Sequence, residues 1–163
     1  MKFIISLYFL LLSIFSYAND YDEQTICLAQ NIYHEARGES TEGQIAVSNV
    51  VINRVESKQF PNDICSVVYQ RNQIEIIDKV LKLLRIPAFC QFAWTCDPIS
   101  NDSYKDSESW KNSQRLAREI VQGVHDDLTN GATHYFNPMK VPTPHWANVY
   151  KKTIVIGNHH FYK

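Results

Sequence analysis

The run Asn31-Ile32-Tyr33-His34-Glu35-Ala36-Arg37-Gly38-Glu39, continued by Thr41 to Val55, is the stretch on which the reading of the fold turns. Ile26, Ala29 and Ile32 or Tyr33 recur at helical spacing, which predicts a helix from about Glu23 to Glu35 with one buried face. Gly38 ends it, as glycine does after the last periodic residue. Thr41 reads as the cap of a second helix reaching about Ser57, with Ile45, Val47, Val51, Ile52 and Val55 on its apolar side. The carboxylates of Glu35, Glu39 and Glu42 then gather where two packed helices meet. A carboxyl at such a junction is partly desolvated, and desolvation raises its pKa towards the range of a general acid. The competing reading makes Glu35 a solvated helix-end carboxylate paired with Arg37. Residue type alone favours that one, because strongly perturbed carboxyls are uncommon. His34-Glu35 would open a zinc-protease motif only with a histidine at position 38, and Gly38 stands there.

The wording of longer segments adds what residue type does not. Cys27 to Glu39, Glu42-Gly43-Gln44-Ile45-Ala46-Val47 and Val51-Ile52-Asn53-Arg54-Val55 together resemble the SleB/CwlJ cell-wall hydrolase family. So do Phe60-Pro61, Val67-Val68-Tyr69-Gln70, Cys90 to Asp97, and Ile156-Gly157-Asn158-His159-His160-Phe161-Tyr162. These motifs are ordered and cover nearly all of the chain after its first twenty or so residues. The resemblance implies a lysozyme-like α+β fold and a secreted enzyme that cuts peptidoglycan glycan strands, with Glu35 as the catalytic acid. In that family the glutamine matching Gln70 stands nearer the Cys-Gln-Phe motif, so the intervening residues read as an insertion.

At the start of the chain, Lys2 precedes an apolar stretch from Phe3 to Phe15, and Ser16-Tyr17-Ala18 supplies small residues before Asn19. These are the three parts of a secretory signal peptide, 1–18. The stretch is short for a membrane helix, which needs about 20 residues; with cleavage the membrane enters only through the export signal, and the alternative is an uncleaved anchor. Cleavage after Ala18 removes one lysine and no acid, taking the formal charge from -1 to -2. Nucleic-acid binding, which favours a basic patch, is not expected. Residues 19–163 form one domain with neither a repeat nor a low-complexity linker, expected to be monomeric and exported to the periplasm or the extracellular space. Four cysteines in an exported chain favour disulfides. Three pairings are open. Cys90 and Cys96 can close a small loop, which would leave Cys27 with Cys65, and no Cys-x-x-Cys spacing suggests structural zinc.

Asp63 reads as the cap of a short helix through Tyr69. Ile77, Val80, Leu81 and Leu84 mark a further amphipathic helix within 73–85, ended by Pro87. A long helix follows, carrying Trp110, Leu116, Ala117, Ile120, Val121, Val124 and Leu128 and closed by Asn130-Gly131. Thr133 to Phe136 and Thr153 to Ile156 read as strands, the second turning at Gly157-Asn158 into His159 to Tyr162. The fold class is thus α+β, mainly helical with a small late sheet.

Besides Glu35, the candidate substrate-binding residues are Glu39, Trp94, Asp97, His134, Tyr135, Asn137, Asn158 and His159, with Trp146 nearby. Aromatics suit the CH faces of sugar rings, and amides and carboxylates suit hydroxyl and acetamido groups. For Trp110 and Phe161 packing is the preferred role. No cofactor or metal is expected. The leading function is a lytic transglycosylase cutting between N-acetylmuramic acid and N-acetylglucosamine, with one glutamate as acid and then base. The alternatives are a hydrolytic muramidase using Asp97 as second carboxylate, an N-acetylmuramoyl-L-alanine amidase using a metal or thiol, and a wall-binding module without turnover.

Overall fold

A computed structural model describes residues 23–71, 90–96 and 107–163. The signal peptide read at 1–18, the helix read at 73–85 and Asp97 lie outside the described residues. Helix α1 spans 23–36, α2 Thr41–Glu56, α3 Ile64–Val68 and α4 Glu108–Val121. Single 3-10 turns occupy Ala93–Cys96 and His145–Asn148. Strands β1 (His134–Phe136), β2 (Lys152–Ile156) and β3 (His159–Tyr162) form an antiparallel sheet in the order β1-β3-β2. The expected α+β class, mainly helical with a late small sheet, is what the chain adopts. No helix among the described residues is long and apolar enough to cross a membrane.

Helix α1 buries Thr25, Leu28, Ala29, Ile32 and Ala36, the i, i+3, i+4, i+7, i+11 series of one helical face. Ile26, expected on that face, is 40% exposed because it stands a third of a turn away from this series. The cap of α2 is Ser40, one residue before the expected Thr41: Ser40 keeps extended dihedrals and its hydroxyl accepts the Gly43 N–H. Its burial is not one-sided either. Every residue from Gly43 to Val51 is buried, with Ile45 and Val51 in one apolar cluster and Ala46, Val47 and Val50 in a second. The first cluster holds Leu28, Ile32, Val67, Val68, Trp110 and Leu116 from the other helices, and the second holds Phe161 of the sheet. Trp110 and Phe161 therefore pack in the core, as preferred from the sequence.

A helix surrounded in this way must find partners for its polar side chains. The Gln44 carboxamide oxygen accepts from Asn112 of α4, Asn49 accepts the Leu128 N–H, and Asn53 donates to Ala132 O at 2.9 Å. Arg54, 2% exposed, donates from Nε to Thr133 O at 2.7 Å. These bonds lash the segment before β1 to α2. That segment is itself a tight turn in which Asp127 accepts from Thr129 N and Oγ1. Consequently α4 stops at Val121, with Gly123 at φ 72°, and does not extend to Asn130-Gly131. Val124 is 62% exposed beyond the helix.

In the sheet, Tyr135 pairs with Phe161 and Phe161 with Ile154, so these side chains face α2. His134, Phe136 and Tyr162 point the other way, since neighbours along a strand alternate. Trp146 covers that outer face, edge-on to Phe136 at 5.8 Å and to Tyr162 at 5.4 Å.

Cys27 pairs with Cys65 and Cys90 with Cys96, and no cysteine is free. With separations of 38 and 6 residues, loop-closure entropy assigns about 4 kcal/mol to the first bridge and about 2 kcal/mol to the second. Cys27→Ala/Cys65→Ala should therefore lower the denaturant midpoint more than Cys90→Ala/Cys96→Ala. Equal losses in equilibrium urea unfolding would contradict the ranking, and thiol titration of unfolded, unreduced protein should find no free thiol.

Candidate active site

Glu35 lies in the last turn of α1, and its partner is not Arg37. The Arg37 guanidinium bends back along its own helix to Tyr33, donating to the carbonyl oxygen at 3.1 Å and lying 4.8 Å from the ring centre. Glu35 Oε2 instead accepts the phenolic hydrogen of Tyr135, carried across from β1, at 3.1 Å. Burial pushes the Glu35 carboxyl up from its ordinary value, while the Tyr135 hydroxyl, Lys140 and Arg54 pull it down. The acid form is favoured by desolvation, yet a donor and two cations stand ready for the anion. The Tyr135 hydroxyl, desolvated and beside the carboxylate, is held well above its usual range and stays a proton donor.

Arg54 reaches the site from α2. Burial brings it down to about 10, so it remains charged at neutral pH. Its guanidinium packs over Phe60 and Phe92 at 5.2 and 5.6 Å from the ring centres, and the Gln91 amide oxygen, turned towards it, accepts from both terminal nitrogens at 3.0 Å. Lys140 comes from the turn after β1. Asn137 makes that turn, its side chain accepting from Met139 N and its carbonyl from Lys140 N and Val141 N. Asn137 is buried and occupied in this way.

On the other side of Glu35, His34 stacks on Trp94 with ring centres 4.3 Å apart, and Tyr69 meets Trp94 edge-on at 5.8 Å. Glu39, at the α1–α2 junction, faces the β2–β3 turn, where Asn158 Nδ2 lies 3.5 Å and His159 Nδ1 3.8 Å from its Oε1. The His159 ring meets Tyr135 edge-on at 5.3 Å.

Of the residues singled out in the sequence, Glu35, Tyr135, His159, Glu39 and Asn158 form one connected group. Trp94 joins its edge through His34. His134 does not join: it lies on the outer sheet face, stacked on Tyr150 at 4.3 Å and beside Trp146 at 5.2 Å. Arg54 and Lys140 were not anticipated. The signal for Arg54 was a cation inside the apolar run Val50 to Val55, since a buried arginine needs partners. Nothing in the sequence marks Lys140. Among the described residues, no three His, Cys, Asp or Glu side chains gather as a metal site.

The sequence model of the family described as Cell Wall Hydrolase matches residues 38–162. The chain belongs to the cell wall hydrolase family. The matched range takes in Glu39, Arg54, Tyr135, Lys140 and His159 and begins just after Glu35. Among curated relatives, the spore cortex-lytic enzyme of Bacillus subtilis is 29% identical over 82% of this chain and 35% of its own length. That of Halalkalibacterium halodurans is 28% identical over 86% of this chain and 34% of its own. The chain thus spans about a third of the length of these relatives. Two solved structures are similar. The catalytic domain of the germination-specific lytic transglycosylase SleB from Bacillus anthracis gives a TM-score of 0.55 at 26% identity, covering 88% of this chain and 94% of that one. The catalytic domain of Bacillus cereus SleB gives 0.53 at 28%, covering 88% and 90%.

His134 generates a pH prediction for this cell wall hydrolase. Burial first, then Arg54, lowers its pKa to about 4 from 6.5. Between those values the unfolded chain takes up a proton that the folded one refuses, so stability present above about 6.5 is lost as pH falls towards 4. His34 and His159 are lowered too, and add in the same direction. Urea unfolding at pH 7, 5.5 and 4.5 should show a shallower decline in His134→Gln than in the parent; parallel declines would count against the assignment.

Proposed function

We propose that the chain cleaves the glycan strands of peptidoglycan as a lytic transglycosylase, with Glu35 as the single acid and base. The observation that carries this reading is the Glu35 environment: a desolvated carboxyl that accepts from Tyr135 and is acted on by the cations Arg54 and Lys140. Among the described residues, the groups that perturb Glu35 are a phenol and two cations, not a second carboxylate. Such a site suits a reaction in which one carboxyl alternates between its two forms. The names of the relatives, cortex-lytic enzyme and lytic transglycosylase, support the substrate class.

In the first half of the reaction, protonated Glu35 gives its hydrogen to the glycosidic oxygen between N-acetylmuramic acid and N-acetylglucosamine, and the C1–O bond breaks. The carboxylate so formed is stabilised by the Tyr135 hydroxyl and by the positive charges of Arg54 and Lys140. In the second half it takes the proton from the 6-hydroxyl of the same muramic residue, and that oxygen bonds to C1 as a 1,6-anhydro ring. Glu35 ends protonated and no water is consumed. The stacked His34–Trp94 pair offers a flat aromatic edge for a sugar ring next to the acid. With every cysteine in a disulfide, a thiol nucleophile has no residue to use. The reading includes a single exported, monomeric domain after a cleaved leader, in keeping with the paired cysteines.

Glu35→Gln keeps shape and a hydrogen-bonding end but cannot deliver a proton, so turnover on purified peptidoglycan should fall about a hundredfold or more. The folded-state pKa of Glu35 is raised, so its ionisation costs stability as pH rises. The variant should therefore melt at the same or a higher temperature at pH 8. Mass analysis of fragments should find muropeptide ends lighter by one water than reducing ends. Reducing ends would instead mark a hydrolase with a second carboxylate, for which Asp97 is the candidate. Retained lysis in Glu35→Gln would move the acid to Glu39 or Glu42.

A further inference from the structure

Glu39 has no chemical step in this mechanism, yet it is enclosed with unusual care. Its side chain is 11% exposed, and two glycines from different elements make room for it. A Cβ at Gly43 of α2 would come within 2.9 Å of Glu39 Cβ, and one at Gly157 of the β2–β3 turn within 2.8 Å of Glu39 Oε2. Gln44 Nε2 donates to the Glu39 carbonyl oxygen at 3.0 Å and fixes the backbone from which the side chain leaves. What the carboxylate faces is His159, whose ring is 4% exposed and whose Nδ1 is buried without a hydrogen-bond partner, 3.8 Å from Glu39 Oε1. A buried imidazole nitrogen needs such a partner. His159 in turn backs Tyr135, edge-on at 5.3 Å, and Tyr135 donates to Glu35.

We infer that Glu39 is a positioning residue, not a sugar contact: it seats His159 and the β2–β3 turn behind Tyr135, and so keeps the Tyr135 hydroxyl on Glu35. The inference rests on Glu35 as the acid for its catalytic meaning, but the chain of contacts can be tested without catalysis. Among the described residues, the charged and titratable groups that act on Glu35 are Tyr135 on β1, Arg54 on α2 and Lys140 beyond β1, and those that act on His159 are Glu39 and Lys140. Glu39→Gln removes a negative charge, and that alone would lower the Glu35 midpoint. Loss of the Tyr135 hydrogen bond would raise it. The two effects differ in sign.

The test is a carbon-13 carboxyl titration of the full chain by NMR, with the Glu35 resonance assigned through Glu35→Gln. Expected are an upward Glu35 midpoint in Tyr135→Phe, a smaller upward shift in Glu39→Gln, and a double variant no higher than Tyr135→Phe alone. An unchanged or lowered midpoint in Glu39→Gln, beside a raised one in Tyr135→Phe, would overturn the inference. Should Glu39→Gln fail to fold, His159→Phe keeps the ring against Tyr135 and removes Nδ1; it should raise the midpoint likewise, and no rise would be equally fatal. In parallel turnover measurements Glu39→Gln should lose kcat with KM little changed, whereas a sugar contact would raise KM. A wild-type chain that releases no muropeptides yet shows the predicted titrations would refute the proposed reaction and leave the positioning role standing.

Discussion

The constraint on which the structure depends is the enclosure of α2. A helix with solvent on one side can leave its polar side chains wet, but α2 is covered over nine consecutive residues from Gly43 to Val51. The polar side chains of such a helix need partners, because an unpaired buried donor or acceptor costs roughly 1–3 kcal/mol; Ser48 finds one on its own helix, and the others turn to neighbouring elements. Gln44 thereby fixes α4, Asn49 and Asn53 fix the turn before β1, and Arg54 fixes Thr133. The last of these tethers sits two residues before Tyr135, so the placement of the phenol on Glu35 follows from how α2 disposes of its own polar groups.

The same enclosure makes the site electrostatically two-sided. Removing water from Glu35 favours its neutral form, whereas Tyr135, Arg54 and Lys140 favour the anion. Neither influence alone would suit a group that, in the proposed reaction, gives and then retrieves a proton. A solvated carboxyl would be ionised at neutral pH, and a desolvated one without donors would resist becoming an anion. Arg54 keeps its charge despite burial because two aromatic faces, a backbone carbonyl and the Gln91 amide replace its hydration.

What the sequence disclosed follows from how local each signal is. Helix spans and the Gly157-Asn158 turn were legible because periodicity and turn chemistry act within a few residues. The cap at Ser40 and the stop at Gly123 each differed from the expected position, since several residues of similar propensity stood nearby and long-range contacts chose among them. Burial of α2 on both sides was not legible: its polar residues resemble a solvent face until the partners are known. In the site, Glu35 stood out through the resemblance, and Tyr135 as an aromatic with a polar tip beside a strand end. The separation of His134 from Tyr135 depends on strand alternation and on the outer covering by Trp146, which only the assembled sheet displays. Lys140 is an ordinary surface lysine by every local measure.

The hydrogen bond from Tyr135 to Glu35 joins residues 100 positions apart in the sequence. Contacts of that range close late, after the loop entropy between them has been met. β1 is only three residues and is held in the sheet by the C-terminal strand β3. The contact between Tyr135 and Glu35 therefore waits on the pairing of β1 with β3 as well as on α1, and it reports that helix and sheet have come together.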